Sequence, residues 1–109
     1  MHTQGVRFSL LGPVRAWHDD REIDLGEPRQ RAVLALLLLN LGRPVTLEVL
    51  SDRIWGEAVP STARSTMRTY LSRLRRALGA GSPLQSGHGG YAARADPGRR
   101  SEPGRGRSG

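Results

Sequence analysis

Eight consecutive apolar residues, Ala32 to Leu39, extended to Leu41 across the single polar Asn40, limit this chain more than any other feature. A membrane-spanning helix needs about 20 such residues, so the run belongs to a water-soluble core. Gly42 and Pro44 follow it, a permissive left-handed cap and a helix breaker. The spacing predicts a helix over Arg31–Leu41, opened by Gly26-Glu27-Pro28 with Pro28 at a tolerated first-turn position. A helix apolar on every side must be central to its core. The rest of a 109-residue chain, enough for one domain, has to be arranged around it.

The flanking patterns supply the surrounding elements. Val6 to Leu11 alternates imperfectly, Gly12-Pro13 turns the chain, and Val14 and Ala16 resume the alternation on one face. After the polar corner Asp19-Asp20, Ile23 and Leu25 alternate with Glu22 and Asp24. A three-stranded antiparallel meander over residues 6–25 follows, and it must bury one face against helices. Thr46 caps a second helix, Leu47–Trp55, ended by Gly56, with Val49, Leu50 and Ile54 facing inward and Trp55 a further candidate. Pro60-Ser61 sets up a third helix, capped by Ser61 and running to Leu78 before Gly79. A hairpin with a glycine-rich tip is expected between Leu84 and Arg94, although Ala92 and Ala93 are poor strand formers. Residues 96–109 contain no large apolar side chain and cannot offset their ordering entropy, so a disordered tail is expected after a domain of residues 1–95.

Charge then singles out one helix. The net charge is +7, but residues 1–60 carry seven arginines against eight acids, whereas residues 61–109 carry ten against two. Residues 61–78 alone hold five arginines and no acid. On a helical wheel Ala63, Met67, Tyr70, Leu71, Leu74 and Leu78 form an apolar stripe. The opposite face collects Ser65, Thr69, Ser72 and Arg76, flanked by Arg64, Arg68 and Arg75 on one side and Thr66 and Arg73 on the other. A solvated helix ordinarily mixes in glutamate for i,i+4 pairs. This one has none, and its arginines repel one another unless a polyanion is bound.

Other functions find little support. Cysteine is absent, which removes disulfides, thiolate metal sites and a cysteine nucleophile. His18-Asp19-Asp20 offers ligand-type side chains, but neighbours at a strand corner point apart, and no metal spacing appears elsewhere. Gly87 to Gly90 lacks the lysine and following helix of a phosphate loop. No catalytic constellation, cofactor or metal is expected, and the chain reads as a non-enzyme. Met1 to Gly5 has no basic head before an apolar run, so a secretory signal is not expected and the cytoplasm is.

Strands, three helices and a hairpin, with a basic third helix, give an α+β domain of winged helix-turn-helix order. The sequence resembles the DNA-binding domain of the SARP-type (Streptomyces antibiotic regulatory protein) regulators, which share the OmpR/PhoB winged-helix fold. The matching residues are 6–14 (Val-Arg-Phe-Ser-Leu-Leu-Gly-Pro-Val), 29–38 (Arg-Gln-Arg-Ala-Val-Leu-Ala-Leu-Leu-Leu) and Gly42-Arg43-Pro44-Val45. Ile54-Trp55-Gly56, the run Tyr70 to Gly79 and Gly89-Gly90-Tyr91 complete the resemblance, which spans residues 6 to 94.

The resemblance implies sequence-specific binding to duplex DNA and regulation of transcription, with the third helix in the major groove and the wing at the minor groove. The positions it points to for base contacts are Thr66, Arg68, Thr69 and Arg73. Those for phosphate contacts are Trp55, Ser65, Tyr70, Ser72, Arg75 and Tyr91, with Arg76 beside them on the exposed face. The residue types suit the work. Arginine forks onto guanine O6 and N7, threonine offers a hydroxyl and a methyl, and phosphate contacts fix register. Tyr70 is claimed twice, by the buried stripe and by a phosphate, and both hold if its ring packs while its tip stays wet. His88 stands near the wing position where the family commonly has arginine, and it is the minor-groove candidate. The resemblance further implies head-to-tail binding to direct repeats and contact with RNA polymerase through the loop Gly56 to Pro60. Members usually continue into a helical bacterial transcriptional activation domain, whereas this chain continues into an arginine-glycine tail. Two alternatives stay open: a non-specific nucleic-acid-coating protein driven by that tail, and a truncated competitor that occupies operators without activating.

Overall fold

The computed structural model describes residues 2–3, 5–87 and 89–94. The chain opens with a four-stranded antiparallel sheet of order β1 (His2–Thr3), β2 (Val6–Ser9), β3 (Arg15–His18) and β4 (Arg21–Glu22). Pairing of Val6 with His18 and Phe8 with Ala16 puts Val6, Phe8 and Ala16 on the buried face, where Val14 joins them. Four strands replace the expected three, because His2–Thr3 adds an edge strand that a polar dipeptide does not announce. The first expected strand also stops short. Leu11 is 92% exposed, since Gly12 turns the chain with φ +80°. β4 lies just before Ile23, although the Ile23 amide still donates to the Ala16 carbonyl at 2.8 Å. Asp19 takes φ +55° at the β3–β4 turn, a conformation that Asp tolerates better than most residues.

Helix α1 (Pro28–Leu39) begins with proline at its first turn, three residues before the expected Arg31, and ends two residues before the expected Leu41. Asn40 stops it, with the side-chain amide donating to the Leu36 carbonyl at 2.8 Å. Burial follows one stripe: Gln30, Val33, Leu34, Leu37 and Leu38. Leu39 is 69% and Leu41 42% exposed, so the helix is not enclosed on all sides. A chain this short has one core and no second layer to cover the far face of α1. Gln30, although buried, is satisfied by donating to the Leu25 carbonyl at 3.0 Å.

Helix α2 (Leu47–Trp55) starts as expected, with Thr46 Oγ1 accepting from the Val49 amide at 3.1 Å. Leu47, Leu50 and Ser51 are its buried residues, and Ile54 and Trp55 are half-buried against the core. Val49 was expected inside and is 43% exposed, because it lies off the stripe of Leu47, Leu50, Ser51 and Ile54 that faces the core. Helix α3 (Ala63–Leu78) begins two residues after the expected Ser61 cap. The Ala63 amide donates to the Pro60 carbonyl, so residues 60–62 form a turn and Thr62 stands at the cap position without a side-chain bond. Its whole predicted apolar stripe is buried, and Gly79 ends it with φ +67°.

The hairpin of β5 (Leu84–Gly87) and β6 (Gly90–Ala93) closes the chain as expected. Ala92 and Ala93 are small because this strand lies on the core, where both are buried. Three bonds fasten the hairpin to the α1–α2 loop: Val45 N–H to Tyr91 carbonyl at 2.7 Å, Tyr91 N–H to Val45 carbonyl at 2.9 Å, and Gly42 N–H to Ala93 carbonyl at 2.7 Å. Gly90 permits that approach, since at φ +121° a Cβ would collide with the Val45 carbonyl.

Candidate nucleic-acid interface

Burial of one side of α3 determines what its other side can offer. With Met67, Leu71 and Leu74 held in the core, Ser65, Arg68, Thr69, Ser72, Arg73 and Arg76 are exposed, while Thr66 and Arg75 are half-buried. Arg64 reaches across to Glu48 on α2 and is paired. A hydrogen bond to its own backbone, and after it the Arg64 contact, holds the Glu48 carboxyl below the usual range. Among the described residues, Arg68, Arg73, Arg75 and Arg76 have no carboxylate within 4 Å. One rigid surface therefore carries four guanidinium groups with unused donors, each with five N–H bonds to give.

The hydroxyls between them are already oriented. Ser65 Oγ donates to the Thr62 carbonyl at 3.0 Å and Thr69 Oγ1 to the Ser65 carbonyl at 3.0 Å. Each has one hydrogen, so in this arrangement their outward lone pairs are acceptors, suited to the amino groups of cytosine or adenine.

An aromatic cluster borders one end of this face. The rings of Trp55 and Tyr70 stack with centroids 6.4 Å apart and planes 19° from parallel. The Arg29 guanidinium lies over Trp55 at 5.8 Å, and the Tyr70 hydroxyl donates to Glu27 at 2.7 Å. Burial is the main cause that raises the Tyr70 hydroxyl above its ordinary range, and the Glu27 bond adds to it, against the opposing charges of Arg29 and Arg73. The Tyr70 ring is packed, being 5% exposed, and the bond to Glu27 competes with the phosphate contact expected for its tip. On the other flank the Arg75 guanidinium lies over the Tyr91 ring at 5.9 Å, so α3 and the hairpin meet through two residues expected to hold phosphates. The expected positions thus gather on α3 and at its two borders. His88 falls outside the described residues. Sequence reasoning missed Glu27 and Arg29 as members of this border. They are distant in sequence from Trp55 and Tyr70, and only the packing of α1 against α2 and α3 unites them.

Among the described residues no group of His, Cys, Asp and Glu could hold a metal, and no helix is long and apolar enough to cross a membrane.

The family described as "Transcriptional regulatory protein, C terminal" matches residues 20–89. The chain belongs to it. This family is the DNA-binding domain of transcription regulators of OmpR/PhoB type and not an enzymatic one, and the resemblance to SARP-type regulators holds. Regulatory protein AfsR of Streptomyces coelicolor is 53% identical over 89 residues, covering 82% of this chain and 9% of AfsR. The chain thus spans less than a tenth of that relative. The structure of Mycobacterium tuberculosis EmbR, in complex with a low-affinity phosphopeptide, aligns with a TM-score of 0.77 at 38% identity, over 85% of this chain and 26% of EmbR. The DNA-binding domain of CpxR from E. coli aligns with a TM-score of 0.62 at 22% identity over 87% of this chain and 95% of that one, a likeness of fold. The α+β winged-helix class expected from the sequence is borne out.

Proposed function

We propose that this chain binds duplex DNA sequence-specifically and regulates transcription, with α3 in the major groove and the β5–β6 wing at the neighbouring minor groove. Membership of the regulator family supports the activity. One observation in the molecule supports the geometry: a helix buried along one side and bearing on the other four arginines with no carboxylate partner among the described residues.

In this reading Thr66, Arg68, Thr69 and Arg73 meet base edges. Trp55, Ser65, Ser72, Arg75, Arg76 and Tyr91 take phosphates, and His88 reaches the minor groove. Tyr70 supports Trp55 by stacking, and its hydroxyl reaches a phosphate only by leaving Glu27. Head-to-tail pairing on direct repeats and contact of RNA polymerase with the Gly56–Pro60 loop, where Val59 is exposed, belong to the same reading, as does a cytoplasmic, nucleoid-associated location. Residues 1–95 act as the domain and 96–109 as an accessory tail. Arg99, Arg100, Arg105 and Arg107 keep one competitor alive, non-specific coating of nucleic acid.

Selection of bound sites from a random duplex pool tests the proposal. Recovery of a spaced repeat is the expected result, and uniform retention of the pool would defeat it in favour of coating. Deleting residues 96–109 leaves binding largely intact if α3 reads the DNA. A transcription assay then distinguishes an activator from an operator competitor.

A further inference from the structure

We infer that Glu27 limits the DNA affinity of this domain: its carboxylate stands at the α1 border of the arginine face and repels the phosphate strand that passes there. The inference rests on the DNA-binding reading above. Glu27 occupies the N-cap position of α1, yet its side chain makes no capping bond. Among the described residues no guanidinium lies within 4 Å of it, so it forms no ion pair either. Its one side-chain bond there is the hydrogen bond accepted from Tyr70. A neutral amide oxygen can still accept that bond, though more weakly than a carboxylate. The Tyr70 contact therefore outlasts loss of the charge, at a modest cost from the weaker bond and from the carboxylate removed at the α1 N-terminus.

The carboxylate is placed where charge matters. Arg29, on Trp55, and Arg73, on α3, both act electrostatically on the Tyr70 hydroxyl that Glu27 holds. A phosphate drawn to either cation approaches the carboxylate as well. Asp24 adds to the effect from a shallow cleft of about 260 Å³ that it shares with Gln30, Arg73 and Arg76. Its Oδ1 accepts from the Gly26 amide at 2.9 Å. An exposed like charge at several ångströms from phosphate costs about three- to tenfold in affinity at low salt and much less at high salt.

The test is a fluorescence-anisotropy titration of the 109-residue chain, Glu27→Gln and Asp20→Asn, on a selected duplex and a scrambled one. Asp20→Asn removes the same charge at the β3–β4 turn. Glu27→Gln should bind both duplexes about three- to tenfold more tightly at about 50 mM salt, with the gain fading near 300 mM. Its thermal midpoint should fall only slightly, because the Tyr70 bond is kept in weaker form. Asp20→Asn should leave both affinities nearly unchanged. Unchanged or weaker binding by Glu27→Gln, or an equal gain from Asp20→Asn, overturns the inference. Failure of the unaltered chain to bind any duplex would instead refute the DNA-binding reading and this inference with it.

Discussion

The sheet and helix α3 use the same side chain in opposite ways. On the outer face of the sheet, Arg15 makes two hydrogen bonds to Glu22, at 2.7 and 3.0 Å. Arg7 and Arg15 also cover the Trp17 ring at 5.0 and 5.1 Å. Those arginines find partners within their own sheet. On α3, four of five arginines have no carboxylate partner among the described residues. Arginine content alone therefore does not locate function. Whether the fold supplies a partner does.

The strongest challenge to this contrast is a paired substitution. Arg68→Ala with Arg73→Ala should lower specific DNA affinity by about 2–5 kcal/mol, while Arg7→Ala with Arg15→Ala leaves it nearly unchanged. Equal losses in a titration of both would erase the distinction. Arg73→Ala alone should lose about 1–3 kcal/mol and relax sequence preference, which a repeated site selection would read. Next comes the salt dependence. If about six phosphates are contacted, log affinity should fall against log salt with a slope near −5, and Arg75→Ala should make it shallower by about 1 while weakening random and specific DNA alike.

The smallest effect concerns acid. Arg15 holds the Glu22 carboxyl below its ordinary range, chiefly through their hydrogen bond. A group whose folded value is depressed stabilises the fold above its unfolded value and ceases to do so as pH falls through the folded one. The thermal midpoint should thus decline on acidification into and below the usual glutamate range. Glu22→Gln should flatten part of that decline, modestly, because the pair is exposed.

Legibility in the sequence followed the scale of the interaction. The α3 stripe, the Thr46 cap and the Gly79 stop were readable because each is decided within one or two turns of chain. The exposures of Leu39 and Val49 were not: one depends on how many layers surround α1, the other on which face α2 turns to the core. β1 was missed for a similar reason: His2–Thr3 is a strand only because β2 lies alongside it. In the candidate site, α3 announced its arginines and hydroxyls by spacing. The border residues Glu27 and Arg29 beside Trp55 did not, because three separate helices meet there. The Tyr70 bond to Glu27 spans 43 positions, and no local pattern encodes it.

The double bond pair between Val45 and Tyr91, with Gly90 cut away to admit it, has a mechanical consequence. These bonds fasten the wing to the α1–α2 loop and so set its spacing from α3. In the proposed binding mode, a duplex whose successive grooves do not match that spacing must twist or bend to fit, at a cost set by its own stiffness. Discrimination can then arise at base steps that no side chain reaches.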